Sequence, residues 1–180
     1  RGRVDDGIAL LRDVIVAADQ RLAADPADGE ARWARALAAA EIVDAFEARG
    51  ETDAAFELCV AALAVFDEGL DATDAAWRVR RARLVGRLAL LEWRRQELAA
   101  AERRFEEAIP LLEDSWRNGA AVRDELSLLV VLLDGRAELR QRTDRVAEAI
   151  ADRRNAVAAC EQLVAMRPND HRLLATLAGV

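Results

Sequence analysis

The chain has 180 residues, with 26 basic against 33 acidic side chains and a net charge of −7. Apolar types make up 53% and aromatics 4%; every basic side chain is arginine, and about a fifth of the chain is alanine. This is too apolar for disorder and long enough to bury a core, and its negative charge disfavours general nucleic-acid binding. With 3 prolines and few β-branched residues, the composition implies an all-helical protein.

The opening Arg1-Gly2-Arg3-Val4-Asp5-Asp6 leads straight into a periodic apolar run without the hydrophobic stretch of a signal peptide. No stretch approaches the roughly 18 apolar residues of a membrane span. These features imply a cytoplasmic chain. Cys59 and Cys160 stand far apart among apolar residues and read as buried free thiols.

Periodicity and breakers predict helices over 4–24, 28–48, 53–68, 73–95, 97–114, 119–141 and 144–166, with another from 169 onward. Asp25-Pro26-Ala27-Asp28-Gly29 ends the first and offers a cap to the second. Arg49-Gly50-Glu51-Thr52-Asp53 is a tight turn, with Gly50 just past a helix end and Thr52 or Asp53 as the next N-cap. Gly69 to Asp74, Ser115 to Gly119 and Gln141 to Asp144 are further breaks. Pro110 is expected to kink or end the fifth helix early. Arg167-Pro168-Asn169-Asp170 precedes the last helix, and His171, the single histidine, falls in its first turn.

The helices repeat. Gly7, Ala55, Ala101 and Ala149 form a column with spacings of 48, 46 and 48. Seven residues later stand Val14, Ala62, Ala108 and Ala156, followed directly by Ile15, Leu63, Ile109 and Val157. Seven residues is two helical turns, so both columns share a face on which small side chains admit a close neighbour. The unit is near 47 residues and contains two helices, which predicts a short α-solenoid of about four helix pairs. Residues 1–180 then form a single array. The chain opens on a second helix of a pair and closes on a first helix, Leu173-Leu174-Ala175-Thr176-Leu177, so it is expected to be part of a longer repeat protein.

The small-residue pairs Ala55 and Ala62, Ala101 and Ala108, and Ala149 and Ala156 resemble the second helix of the tetratricopeptide repeat. Gly86 and Gly135 fall where its first helix often carries a small residue, and Trp33 and Trp77 are similar to remnants of its aromatic positions. The unit departs from the family's length of near 34 residues. Segments 48–56 and 141–150 resemble a long-unit bacterial variant that is joined to caspase-like (CHAT) protease or signalling NTPase domains. The resemblance implies a right-handed superhelix whose first helices line the concave surface. Armadillo and HEAT repeats are the rival at the level of fold.

The inventory for catalysis is thin. Ser115 and Ser127 sit in no nucleophile elbow, no glycine-rich phosphate loop occurs, and two cysteines with one histidine offer no zinc spacing. No catalytic, cofactor or metal residue is assigned. The notable feature is basic. Arg80, Arg83, Arg87 and Arg94 recur at helical spacing beside Trp77, Leu84, Leu88 and Leu91, which read as core. The stripe either receives carboxylates of an acidic partner, since the planar guanidinium pairs bidentately with them, or is solvated, or pairs with Glu41, Asp44, Asp124 and Glu125 on neighbouring helices. The tryptophans read either as core on an apolar stripe or as exposed interface anchors, and Trp116 beside Arg117-Asn118-Gly119 is the candidate for exposure. The expected function is a non-catalytic scaffold or sensor that binds a protein, peptide or domain of its own chain on the concave face. The alternative is the regulatory repeat region of a larger enzyme whose catalytic domain lies outside this sequence. No cofactor, nucleic-acid or membrane partner is expected.

Overall fold

The computed structural model describes residues 2–69 and 74–166, with side chains from residue 4 on; these residues form α-helices and no strand. They are α1 (Gly2–Ala24), α2 (Gly29–Ala48), α3 (Thr52–Asp67), α4 (Ala75–Arg94), α5 (Leu98–Arg117), α6 (Arg123–Arg142) and α7 (Val146–Met166). The helix expected from 169, His171, and the middle of the Gly69–Asp74 break lie outside the described residues.

Two expectations fail locally, both at α5. Pro110 neither ends the helix nor brings its end forward: α5 continues to Arg117. Proline removes one N–H donor, but Pro110 and Glu106 are both exposed, so the carbonyl left without its partner faces water. Ser115 and Trp116 are therefore helical, the break moves to Asn118–Val122, and α6 starts at Arg123 rather than 119.

Consecutive helices pack on one another, giving the pairs α2–α3, α4–α5 and α6–α7, with α1 packed on α2 as a second-type helix. The first-type helices form one layer, in which α4 touches both α2 and α6. The second-type helices α5 and α7 meet only through side chains among the described residues, Trp116 with Gln162 and Asn155 with Glu113. This is an all-α helical-repeat array. Its core is the interface between layers, filled by Leu84, Leu88, Leu91, Ile109, Leu129, Leu132 and Leu133.

The small columns explain the close approach. Ala55, Ala62, Ala101, Ala108, Ala149 and Ala156 are all buried. The aliphatic column beside them is buried at Leu63 and Ile109 and half-buried at Ile15 and Val157. Gly86 serves the same end on α4. A methyl there would lie 2.7 Å from Leu132 Cδ1 of α6, a side chain with no room to retreat.

The turn inside each pair is one structure used three times. Arg49, Arg95 and Thr143 cap α2, α4 and α6, and the next residue is left-handed: Gly50 (φ 76°), Gln96 (φ 64°) and Asp144 (φ 59°). In each, the left-handed N–H donates to the carbonyl three residues back, as Gly50 does to Glu47 (3.0 Å) and Gln96 to Trp93 (3.0 Å). The following N–H donates five residues back: Glu51 to Phe46 (2.9 Å), Glu97 to Glu92 (2.9 Å) and Arg145 to Arg140 (2.8 Å). This double hydrogen bond satisfies the final carbonyls of the helix and needs a positive φ, which glycine adopts freely and other residues at a cost. Glu51 rather than Thr52 or Asp53 takes the N-cap position of α3, without a side-chain cap. Gln96→Gly should therefore stabilise the protein by about 0.5–1 kcal/mol. Urea melts of the single variant check this. A loss of stability would show that the long contacts of the Gln96 amide outweigh backbone strain.

Ion pairs fix the stacking register. Arg35–Asp19 (2.7 Å) and Arg49–Asp5 (2.5 Å) tie the two ends of α2 to α1. At the equivalent positions one unit later, Arg81–Asp67 (2.7 Å) and Arg95–Asp53 tie α4 to α3. At the next interface these positions hold Leu129 with Glu113 and Thr143 with Ala99, so α6 rests on α5 without either clamp. Such exposed pairs contribute only about 0–1 kcal/mol each, and their repetition specifies alignment more than affinity.

Candidate functional site

The four arginines of α4 project from one face because their spacing follows the helical repeat, and Leu84, Leu88 and Leu91 hold the adjoining face in the core. Arg83, Arg87 and Arg94 of this face, with Leu90, form the floor of a groove of about 500 Å³, which Arg80 does not line. Glu41, Asp44 and Glu47 of α2 form one wall; Asp124, Ser127, Leu128 and Val131 of α6 form the other.

Most of the stripe is already partnered. Arg87 makes the planar fork with Asp44, Nε to Oδ1 at 3.1 Å and Nη2 to Oδ2 at 2.8 Å. Burial pulls the Arg87 guanidinium toward neutrality, but the Asp44 hydrogen bonds and charge outweigh it and the pKa is raised. Arg94 pairs with Glu47. Burial raises the Glu47 carboxyl above its ordinary value, with Arg94 opposing. Arg80 reaches Glu30 at 3.3 Å, and its guanidinium is sandwiched between Trp33 and Trp77, 5.1 and 5.0 Å from the ring centroids. Both rings pack around Phe66, with centroids 6.1 and 5.0 Å away, so they are half-buried core residues with one polar neighbour.

Arg83 differs. It is half-buried and stacks on the Trp33 ring at 5.4 Å from its centroid, yet among the described residues it makes no ion pair. Burial and the like charge of Arg87 lower its pKa, while Glu125, Asp124 and Glu41 oppose this from a distance. A guanidinium held against an aromatic face with unused donors is preorganised to receive an oxyanion. Of the acids considered as internal partners, Asp44 is used by Arg87 and Glu125 caps α6 by accepting from the Val122 N–H at 3.2 Å. Glu41 and Asp124 stay unpaired among the described residues, facing each other across the groove from Arg83.

Trp116 does not join this site. Because α5 runs past Pro110, the residue lies inside the last helical turn, half-buried against the core, and its indole N–H donates to Gln162 Oε1 of α7. It is a strut between second-type helices rather than an exposed anchor. Sequence periodicity also passes over Arg32, which is buried under Gly69 and donates to the carbonyls of Val65 and Pro26, both at 2.6 Å. An arginine between Ala31 and Trp33 in the first turn of α2 is the only signal it leaves.

Cys59 is buried and its thiol is pushed up to about 12 by desolvation, which leaves essentially no thiolate at neutral pH. Burial likewise raises Cys160. No group of three or more His, Cys, Asp or Glu side chains among the described residues is placed to hold a metal ion. No described helix is long and apolar enough to cross a membrane.

No family model matches the chain, and no curated protein matches it. Among solved structures it is similar to the crystal structure of BtubC (BKLC) from P. vanneervenii, with a TM-score of 0.60 at 18% sequence identity. The match covers 89% of this chain and 58% of that one, so this chain spans little more than half the length of the protein it resembles. At that identity the likeness is one of fold: the array of helix pairs is shared, and the groove residues stand on this chain alone.

Proposed function

We propose that this chain is a non-catalytic interaction module that docks a peptide or protein segment in the groove between α2, α4 and α6. The observation that carries the reading is Arg83, a half-buried guanidinium stacked on Trp33 with no ion pair among the described residues, in the floor of an open groove of about 500 Å³. Stacked helix pairs present such grooves as extended surfaces, and segment docking uses them through a few anchored side chains. The tetratricopeptide assignment within the helical-repeat class belongs to the same proposal and is supported by the buried Ala55/Ala62, Ala101/Ala108 and Ala149/Ala156 pairs. A regulatory role beside a CHAT protease or signalling NTPase domain would use the same groove; it rests on the resemblance of segments 48–56 and 141–150.

The test is selection of random displayed peptides against the whole chain, followed by affinity measurement with a groove-blocking variant. Val131 lines the α6 wall and is 49% exposed, so Val131→Arg fills the groove without touching the core. Selected peptides should bind with micromolar affinity and lose at least about tenfold on Val131→Arg, equivalent to about 1.4 kcal/mol. Peptides that bind both proteins equally would place recognition elsewhere and overturn the proposal.

A further inference from the structure

The charge pattern of the groove narrows the occupant. A stripe of four arginines suggests an acidic partner, but the groove as folded is not a basic surface. Its α2 wall is acidic at every turn, through Glu41, Asp44 and Glu47. Two of its cations are consumed there, Arg87 by Asp44 and Arg94 by Glu47. What remains unpaired among the described residues is one cation in the floor, Arg83, and one carboxylate on each wall, Glu41 and Asp124. A run of acidic side chains would satisfy Arg83 once and then meet both carboxylates. Like charges at close range cost free energy, and this is how a site rejects the wrong partner. A run of basic side chains would meet Arg83, Arg87 and Arg94 in the floor.

We infer that the groove takes an extended segment of mixed charge, with an acidic side chain anchored on Arg83 between basic side chains that reach Glu41 and Asp124. The groove also has an apolar strip, since Leu128 and Val131 on the α6 wall and Leu90 in the floor line it. Aliphatic side chains of the segment would cover that strip. The floor from Arg83 to Arg94 is about 16 Å long at about 1.5 Å per helical residue. That length matches about five residues of extended chain at roughly 3.3 Å each. The occupant is thus a short stretch alternating in charge on an aliphatic background, distinct from a polyacidic tail.

This inference rests on the groove being the docking surface, and its test separates the two. Three acetylated seven-residue peptides share a leucine background. One carries lysine, glutamate and lysine at alternate positions, one carries glutamate at all three, and one carries lysine at all three. Titration calorimetry at low salt should show the mixed peptide binding at least tenfold more tightly than either uniform one. Arg83→Ala should reduce that affinity about tenfold. The double change Glu41→Gln with Asp124→Asn should weaken the mixed peptide several-fold and strengthen the all-glutamate peptide. These three residues are half-buried or exposed, and unchanged thermal melts will show that the variants fold. An all-glutamate peptide that binds wild type as tightly as the mixed one, with loss on Arg83→Ala, would overturn the mixed-charge assignment while leaving the groove reading intact. Absence of binding by all three would overturn the assignment as well, and the displayed-peptide selection would then judge the groove independently.

Discussion

Asp152→Ala is expected to destabilise the protein by about 3–5 kcal/mol, the range for removing one partner of a buried charge network. The Asp152 side chain is 3% exposed. Its Oδ1 accepts from Arg136 Nη2 at 2.7 Å, and its Oδ2 accepts from Arg136 Nε at 3.0 Å and Arg140 Nη1 at 2.7 Å. Removing the carboxylate leaves two largely buried guanidinium groups facing each other, one of which retains only the more distant Glu148 at 3.4 Å. Both lie on α6, so the damage falls on the α6–α7 pair. The measurement is urea denaturation of wild type and variant, with Asp152→Asn as the companion that keeps the acceptor and loses the charge. A loss below about 1 kcal/mol for Asp152→Ala would show that water enters and solvates the arginines.

The register of the repeat gives this network a context. Arg140 and Asp152 occupy positions that hold Glu92 and Arg104 one unit earlier and Phe46 and Leu58 in the unit before that. The same place is thus an ion pair of one polarity, an ion pair of the reverse polarity, or apolar. The Glu92–Arg104 version is the loosest: the separation is 3.7 Å and Glu92 Oε2 is buried without a hydrogen-bond partner. Burial raises the Glu92 pKa, with Arg104 opposing. A carboxyl whose folded-state pKa is raised binds its proton more readily folded than unfolded, so the penalty it imposes is present at neutral pH and relieved as pH falls through that raised value.

Phe105→Ala is expected to cost about 3–5 kcal/mol, as truncation of a fully buried aromatic side chain does. Phe105 is completely buried, and its ring crosses from α5 onto α6, where a methyl on Gly135 would lie 3.2 Å from Phe105 Cζ. This is the interface that lacks both Arg–Asp clamps, so apolar contact carries the junction. In a repeat array each unit depends on its nearest neighbours, and weakening one junction uncouples the two sides. Hydrogen exchange should therefore show amides of α6 and α7 losing protection before those of α2 to α4 in the variant, along with a lower urea midpoint. Uniform loss of protection along the chain would show that the array remains one cooperative unit without the ring.

The repeat made much of the fold legible before any coordinates. Spacings of 46 to 48 residues recur in alanines that are almost fully buried, because a helix packed closely on its neighbour has room for nothing larger there. Turns such as Gly50 and caps such as Asp28, whose carboxylate accepts from the Ala31 N–H at 2.9 Å, are chemistry within a few residues and were readable for that reason. Phe105 left no such signal: its equivalents are Cys59 and Arg153, so it belongs to no periodic column. The course of α5 past Pro110, and with it the burial of Trp116, depended on which side of the helix faced water.

The candidate site divides along the same line. By itself the sequence determined that Arg80, Arg83, Arg87 and Arg94 share one face of one helix, since helical spacing is a local property. Which of them retained free charge was decided by tertiary structure alone. That depended on Asp44 and Glu47 arriving from α2, about 43 to 47 residues away in the chain, and on the two tryptophan rings that clasp Arg80. Pairing of charges across a groove is set by helix packing, and no spacing rule along the chain encodes it.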